Sequence, residues 1–287
     1  TIKGETYNQW GIGYNRDAKT AHDNSAGIFV NANYGQVVVP GSAYMDICGN
    51  GITVDAKYDA SKGVQYGANV VIGSSPASED NDGIGRTIVA GSQILVPKGD
   101  EDHQFYSIAA YEGKVLVDNA NYEYDASVTR KGGKIDGDWY IGGADASIDL
   151  GLNGTDAYFN GAVDNNGGTA NLYLVDGATW TNLSTNGLDD VSHITNFRGN
   201  NKDGGKAAQI IQYADSGDIV IDNYYGDTRV YYTYDEALPH KFQGGDIKIN
   251  HAEADSKITL HTGYSTAIQW GNVETVMNGL ASKLYYL

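Results

Sequence analysis

The sequence predicts an all-β chain wound as a solenoid of short strands, on three observations. A segment repeats itself: Gly217-Asp218-Ile219-Val220-Ile221-Asp222 returns as Gly245-Asp246-Ile247-Lys248-Ile249-Asn250, an offset of 28 residues. Asp227-Thr228-Arg229-Val230 then returns as Asp255-Ser256-Lys257-Ile258 in the same register. Self-similarity at a period of roughly 20–50 residues is the signature of a stacked array. Gly is abundant and Pro scarce, at 38 and 4 residues, which suits many tight turns between strands. Nothing between the copies has the length and apolar spacing of a crossover helix, so strands are expected to pair coil on coil rather than in βαβ units.

One repeat is two short strands and buries too little apolar surface alone. Stacking the copies sets Ile219, Ile221 and Val230 against Ile247, Ile249 and Ile258. The whole chain, 1–287, reads as one segment of this kind. Residues 1–34 are polar, with scattered Trp10, Tyr14 and Tyr34, and read as an irregular N-terminal cap. Strands are expected at Gly35 to Val39, Gly51 to Asp55, Gln65 to Ile72, Thr87 to Ala90 and Gln93 to Val96. The acidic, Pro-containing run Ser74 to Gly85 reads as a loop. Gly113 to Asn119 (GKVLVDN) looks like a third copy of the opening pattern. The gaps from 35 to 113 and from 113 to 217 are 78 and 104, both multiples of 26. That spacing implies about eleven coils and, at ~4.8 Å per coil, a stack about 50 Å long.

Strand-like pieces around Trp139 to Ile141, Ser147 to Leu150, Ala157 to Phe159 and Ala170 to Val175 are separated by Gly- and Asn-rich turns. Near the end, Val273, Val276, Met277, Leu280 and Leu284 follow helical spacing, with Asn272 as N-cap. A short amphipathic helix over 272–286 is therefore expected, covering an open sheet edge.

Composition narrows the function. The net charge is −17, from 19 basic and 36 acidic residues. Nucleic acid requires a basic footprint, so it is excluded as a partner, and an anionic membrane surface fares no better. No apolar run reaches the length of a membrane-spanning helix, and no signal-type run opens the chain at Thr1. The abrupt ends read as a mature product or a cut fragment. The single cysteine, Cys48, has no intramolecular partner and reads as a small hydrophobe.

Catalytic constellations are sparse. No phosphate-binding G-x-x-x-x-G-K-S/T, no G-x-G-x-x-G and no H-E-x-x-H occurs. Gly263-Tyr264-Ser265-Thr266-Ala267 lacks the closing Gly of a serine elbow and reads as a turn. Asp189-Asp190 and the stacked Asp218 and Asp246 are the carboxylate pairs that a glycosidase would need. The repetition of Asp218 at Asp246 favours corner hydrogen bonds, because a corner repeats and an active site seldom does. No catalytic residue and no metal ligand is assigned. Ca²⁺ at Asp80 and Asp82 competes with a solvated acidic loop, since Val89 stands where a calcium loop needs its closing Glu. His251 and His261 lack a third ligand and read as edge residues. The candidate binding residues are Tyr224, Tyr225, Tyr231, Tyr232 and Tyr234. In a strand Tyr232 and Tyr234 share one face and Tyr231 takes the other, so one set is expected to face outward.

Residues Asn171 to Asn182 read NLYLVDGATWTN, followed by Ser192-His193-Ile194-Thr195-Asn196-Phe197. Gly177-Ala178-Thr179-Trp180-Thr181-Asn182 resembles the "GA-x-W-x-N" element of bacterial autotransporter passengers, the type V secreted surface proteins. The two GDI-x-I-D/N copies and the segment Asn272 to Tyr286 also resemble parts of large repetitive autotransporter adhesins, over about residues 113–287. The resemblance implies a right-handed parallel β-helix, export across two membranes, and display at the bacterial cell surface or release from it. It implies adhesion to a host cell-surface protein or glycan, or association with another copy. Membrane contact would run through the family's C-terminal barrel, which is not in this sequence. A polysaccharide lyase or glycoside hydrolase on the same fold, and a non-binding stalk or spacer, are the alternatives, since the shared motifs are structural.

Overall fold

The structure is a computed structural model, and it describes residues 26–31, 35–39, 41–57, 68–73, 80–81, 87–99, 104–118, 128–187, 191–200, 204–235, 241–261 and 281–286. These residues form an all-β protein of parallel sheets, with Ala281 the one helical residue among them. The strands fall into three rows. The first holds β1 (Ala26–Val30), β4 (Asn50–Asp55), the leading half of β9 (Tyr106–Val117), β12 (Asp138–Ile141) and β15 (Val163–Asn165). The second holds β2 (Val37–Val39), β5 (Val70–Ile72), the trailing half of β9, β13 (Ala146–Asn153), β16 (Thr169–Val175), β18 (Ser192–Arg198), β20 (Ile219–Tyr225), β23 (Ile247–Ala252) and β25 (Leu284–Tyr286). The third holds β3 (Tyr44–Asp46), β8 (Gln93–Leu95), β11 (Lys134–Asp136), β14 (Tyr158–Asn160), β17 (Thr179–Thr181), β19 (Ala208–Gln212), β21 (Asp227–Asp235) and β24 (Lys257–His261). The chain visits the rows in turn and pairs each strand with its counterpart one coil later. β6 (Asp80–Asn81), β7 (Thr87–Ala90) and β10 (Val128–Lys131) make a small side sheet, and β22 (Lys241–Gln243) returns antiparallel on β21.

Alternation of side chains decides what the rows enclose. In the third row Met45, Ile94, Ile135, Phe159, Trp180, Ile210 and Val230 stack in register and are all buried. In the second, Ile219 lies on Ile247 and Ile221 on Ile249, as the repeat predicts. One contiguous apolar core runs through the coils. Inside it, aromatic rings form a continuous pile: Trp139 on Phe159 at 4.8 Å, Phe159 on Trp180 at 6.1 Å, Trp180 on Phe197 at 6.3 Å, and Phe197 on Tyr224 at 5.8 Å. Such spacings are the favourable offset contacts of aromatic pairs.

Polar groups close the coils. Asn196 donates to Asn171 at 2.7 Å and Asn223 donates to Asn196 at 3.1 Å, while Asn171 donates to Asp149. Stacking identical amides lets each carry a donor and an acceptor to its neighbours. The repeat's glycines have a steric cause. A Cβ on Gly245 would run into the backbone of Gly217 one coil below. Three corners place a non-glycine residue in the left-handed region, and each is an aspartate: Asp118, Asp176 and Asp255. A short polar side chain tolerates that conformation.

Beyond β15 the first row has no further strand among the described residues. Residues 183–187 fold back instead, pinned by the fully buried Asp138. Its carboxylate accepts from Ala162 N (2.7 Å), Thr185 N (2.9 Å), Asn186 N (3.0 Å) and Ser184 Oγ (2.8 Å). Asn186 in turn holds both backbone groups of Phe105, at 2.9 Å each.

Several expectations change. The segment expected to be helical ends as a strand: Leu284 and Tyr286 pair with Ile247 and Ile249, and 272–280 lies outside the described residues. The open edge of β23 offers backbone partners that outweigh local helical spacing, and Ile247 N donates to Lys283 O at 2.8 Å. Within the expected N-terminal cap, Ala26–Val30 is a regular first-row strand paired with β4, while 1–25 and 32–34 lie outside the described residues. Within the expected acidic loop, Asp80–Asn81 is a short strand antiparallel to β7. In the repeat, Val230 faces Leu260 and not Ile258, an offset of 30, because the turn at 253–256 is longer. The supposed third copy is out of phase: following the pairs from Val117 through Leu150, Leu172 and Phe197 leads to Tyr224, not Ile221. Coils run from 22 residues (Ser147 to Thr169) to 45 (Val70 to Val115), and the second row holds nine strands where eleven coils were expected.

Candidate binding face

The five tyrosines singled out in the sequence divide between the interior and the outside. Tyr224 is buried at 1% exposure, lies flat on Phe197 and donates its hydroxyl to Lys257 O at 2.8 Å. Tyr232 is buried at 2% and meets Phe242 edge-on at 6.4 Å. Burial pushes both phenols up. Neither ring is available for contact in the folded state. The reason is register: Ile210 points inward, Val230 pairs with it, and Tyr232 two residues on takes the same side. Tyr225 and Tyr231 are half-buried, and Tyr231 stacks on His261 at 4.9 Å. Tyr234 lies on β21 with its backbone paired to Phe242.

The other candidates are dispersed. Asp218 Oδ1 accepts the backbone N–H of Asp246 at 2.7 Å, and Asp246 meets Lys283 Nζ at 3.0 Å, so this stacked pair serves a corner. His251 and His261 are exposed and sit on strands of different rows. Cys48 is a half-buried free thiol. Asp80 belongs to β6. Asp82, Asp189, Asp190 and Ser265 lie outside the described residues. Among the described residues no three His, Cys, Asp or Glu side chains group as metal ligands. No helix there is long and apolar enough to cross a membrane.

A different aromatic group assembles on the outer side of the first row. On β9 the sequence Tyr106-Ser107-Ile108-Ala109-Ala110-Tyr111 sends Ile108 and Ala110 into the core, beside Trp139 and Ile141 of β12. Ala109 and Tyr140 are register partners on the opposite side. The ring of Tyr140 packs on Tyr106 at 5.5 Å and on Tyr111 at 4.9 Å, tilted by 49° and 46°. Ala109 beneath is completely covered. Tyr111 remains 43% exposed, Tyr140 is half-buried, and Tyr106 is buried with its hydroxyl donating to Gln104 Oε1 at 2.9 Å. Phe29, two coils away along the same outer column, is 41% exposed.

Carboxylates rim this face. Asp164 is the register partner of Tyr140, and Asp55 stands beside Tyr111, paired in register with Glu112. Burial raises the Tyr106 phenol, and Asp164, Tyr111, Asp138 and Tyr140 raise it further. Burial, Tyr140 and Asp55 do the same to Tyr111. These phenols therefore stay neutral well above physiological pH, as hydroxyl-bearing rings in a negative field.

The sequence held one signal for this face. Small residues between Tyr106 and Tyr111, with Tyr140 between the two core residues Trp139 and Ile141, mark outward rings over a low floor. Its assembly depends on pairing strands about thirty residues apart, which the sequence does not display. No family model, no curated protein and no solved structure matches this chain.

Proposed function

We propose that this chain is a segment of a surface-displayed or secreted bacterial passenger of the autotransporter type, wound as a right-handed parallel β-helix, whose work is adhesion by its side. Strand rows visited in rotation, in-register aliphatic columns and stacked amides support the β-helix. Parallel strand crossovers strongly favour the right-handed sense. The cysteine-poor composition suits export as an unfolded chain.

The observation that carries adhesion is the ring group Tyr106, Tyr140 and Tyr111 on the outer first row. Core packing accounts for Trp139 and Ile141, which face inward, but not for clustered tyrosines over Ala109 on the other side. Clustered outward aromatic surface marks contact sites, and tyrosine adds a polar tip at low conformational cost. Partners are a host cell-surface protein or glycan, or another copy of the chain.

Inert beads coated with the chain test this. Clumping of the beads, or their attachment to host-type cells above bare beads, is the expected result. Beads that neither clump nor attach would place adhesion outside these residues and favour the spacer.

A further inference from the structure

We propose that the Tyr106–Tyr140–Tyr111 face binds cationic side chains of a partner protein, the rings receiving an ammonium or guanidinium group and Asp55 and Asp164 balancing its charge. The proposal rests on the adhesive reading and names the partner's chemistry. The first argument is charge. The groups acting on Tyr106 and Tyr111 are Asp164, Asp138 and Asp55 together with neighbouring phenols, with no cation among them. The face of an aromatic ring is itself electronegative, so ring and carboxylate attract the same ligand. The whole chain adds a net charge of −17. Anionic glycans are repelled, and so is a second copy presenting the same face.

The second argument is shape. Tyr140 is tilted by 49° and 46° from its two neighbours, so no two rings form one flat platform. A sugar stacks its broad C–H face on a flat aromatic surface, whereas a compact cation needs a single ring face. Tyr111, at 43% exposure beside Asp55, offers that face. The third argument is rigidity. Ala109 and the buried Tyr106 hold the rings from below and from the side, so little side-chain freedom is lost on binding. A single exposed cation–π contact is weak, so the partner is expected to be rich in lysine or arginine and held by many displayed copies.

The test uses the full chain, a lysine-rich peptide, and the same peptide with every lysine acetylated. Binding is measured at low and at physiological salt, with tetramethylammonium and a neutral oligosaccharide as competitors. The lysine peptide is expected to bind, to weaken as salt rises and to be displaced by tetramethylammonium. Acetylation is expected to abolish binding. The Asp55→Asn/Asp164→Asn and Tyr111→Ala/Tyr140→Ala variants are each expected to weaken it by about tenfold. A thermal transition like the wild type's confirms that each variant is folded. Equal binding of the acetylated peptide, full affinity in folded variants of both kinds, or displacement by the oligosaccharide alone would overturn the proposal. Coated beads separate the two readings. If Tyr111→Ala/Tyr140→Ala beads attach as well as wild type, adhesion stands and this site falls. If wild-type beads fail to attach while the peptide still binds, the site stands and adhesion falls.

Discussion

Replacing Asp149 by asparagine is expected to stabilise the protein at neutral pH and to leave it unchanged near pH 4. Asp149 sits at the foot of the amide stack, where it accepts a hydrogen bond from Asn171. Burial pushes its carboxyl up to about 6, although the Asn171 bond and the Lys114 charge both pull it down. In the unfolded chain the same group titrates near ~3.9. Between about pH 4 and pH 6 the folded state therefore holds a proton that the unfolded state has released. A state that binds more protons loses stability as pH rises, so the cost of ionising this carboxyl grows across the window and is complete above it. About two pH units correspond to roughly 3 kcal/mol, an upper figure because local relaxation softens it. Asparagine keeps an acceptor for Asn171 and carries no charge. Urea unfolding of both proteins at several pH values isolates the effect, since every other carboxylate cancels in the difference. The variant should gain about 1–3 kcal/mol at about pH 7.5, shrinking to nothing at about pH 4. A pH-independent difference, or a variant less stable at neutral pH, would refute the burial of this group as its dominant influence.

Ile221→Asp is expected to abolish the cooperative unfolding transition, because Ile221 is buried between Ile194 and Ile249 and the new charge has no partner there; an unchanged thermal transition would count against the register. Tyr232→Ala should cost roughly 3–5 kcal/mol of stability, whereas Tyr231→Ala on the outer side should cost about 1 kcal/mol or less. Matched denaturation curves check that contrast, and equal losses would mean that the inward side of β21 is wrongly placed. Asp138→Asn should leave at least one of the four donors around that carboxylate unpaired, and should speed hydrogen exchange at Thr185 and Asn186 without unfolding the coils. Unaltered exchange at both residues would show that the fold-back of 183–187 does not depend on this carboxylate.

The repeat was legible because its two first strands lie exactly one coil apart, 28 residues, with glycines meeting at the corner. The second strands were misread by two residues for a physical reason. Side chains alternate with period two, so Ile258 and Leu260 are equally suitable partners for Val230, and only the length of the preceding turn decides. The same limit applies to Val230-Tyr231-Tyr232. Alternation shows that neighbours take opposite sides, but pairing with Ile210 is what sends Tyr232 inward. Coil lengths from 22 to 45 residues hide periodicity elsewhere, which is why Gly113 to Asn119 passed for a copy. The outer tyrosine group was invisible for this cause too, since Tyr140 reaches Tyr111 across a coil whose length no motif announces.

The fold-back at 183–187 has a consequence for how the protein comes apart. In a simple array each unit touches only its neighbours, and stability is a sum of adjacent interfaces, so fraying proceeds from an end one unit at a time. Asn186 breaks that rule by gripping Phe105 across 81 residues of chain, while Asp138 ties Ser184, Thr185 and Asn186 to the strand between them. Peeling that starts from the last coil can release β25, β23 and β20 in succession. When it reaches 187 it must free Phe105 as well, and the strands from β9 to β17 are committed to opening together. The molecule thus has a frayable end and a cooperative block, with one buried carboxylate at the border between them.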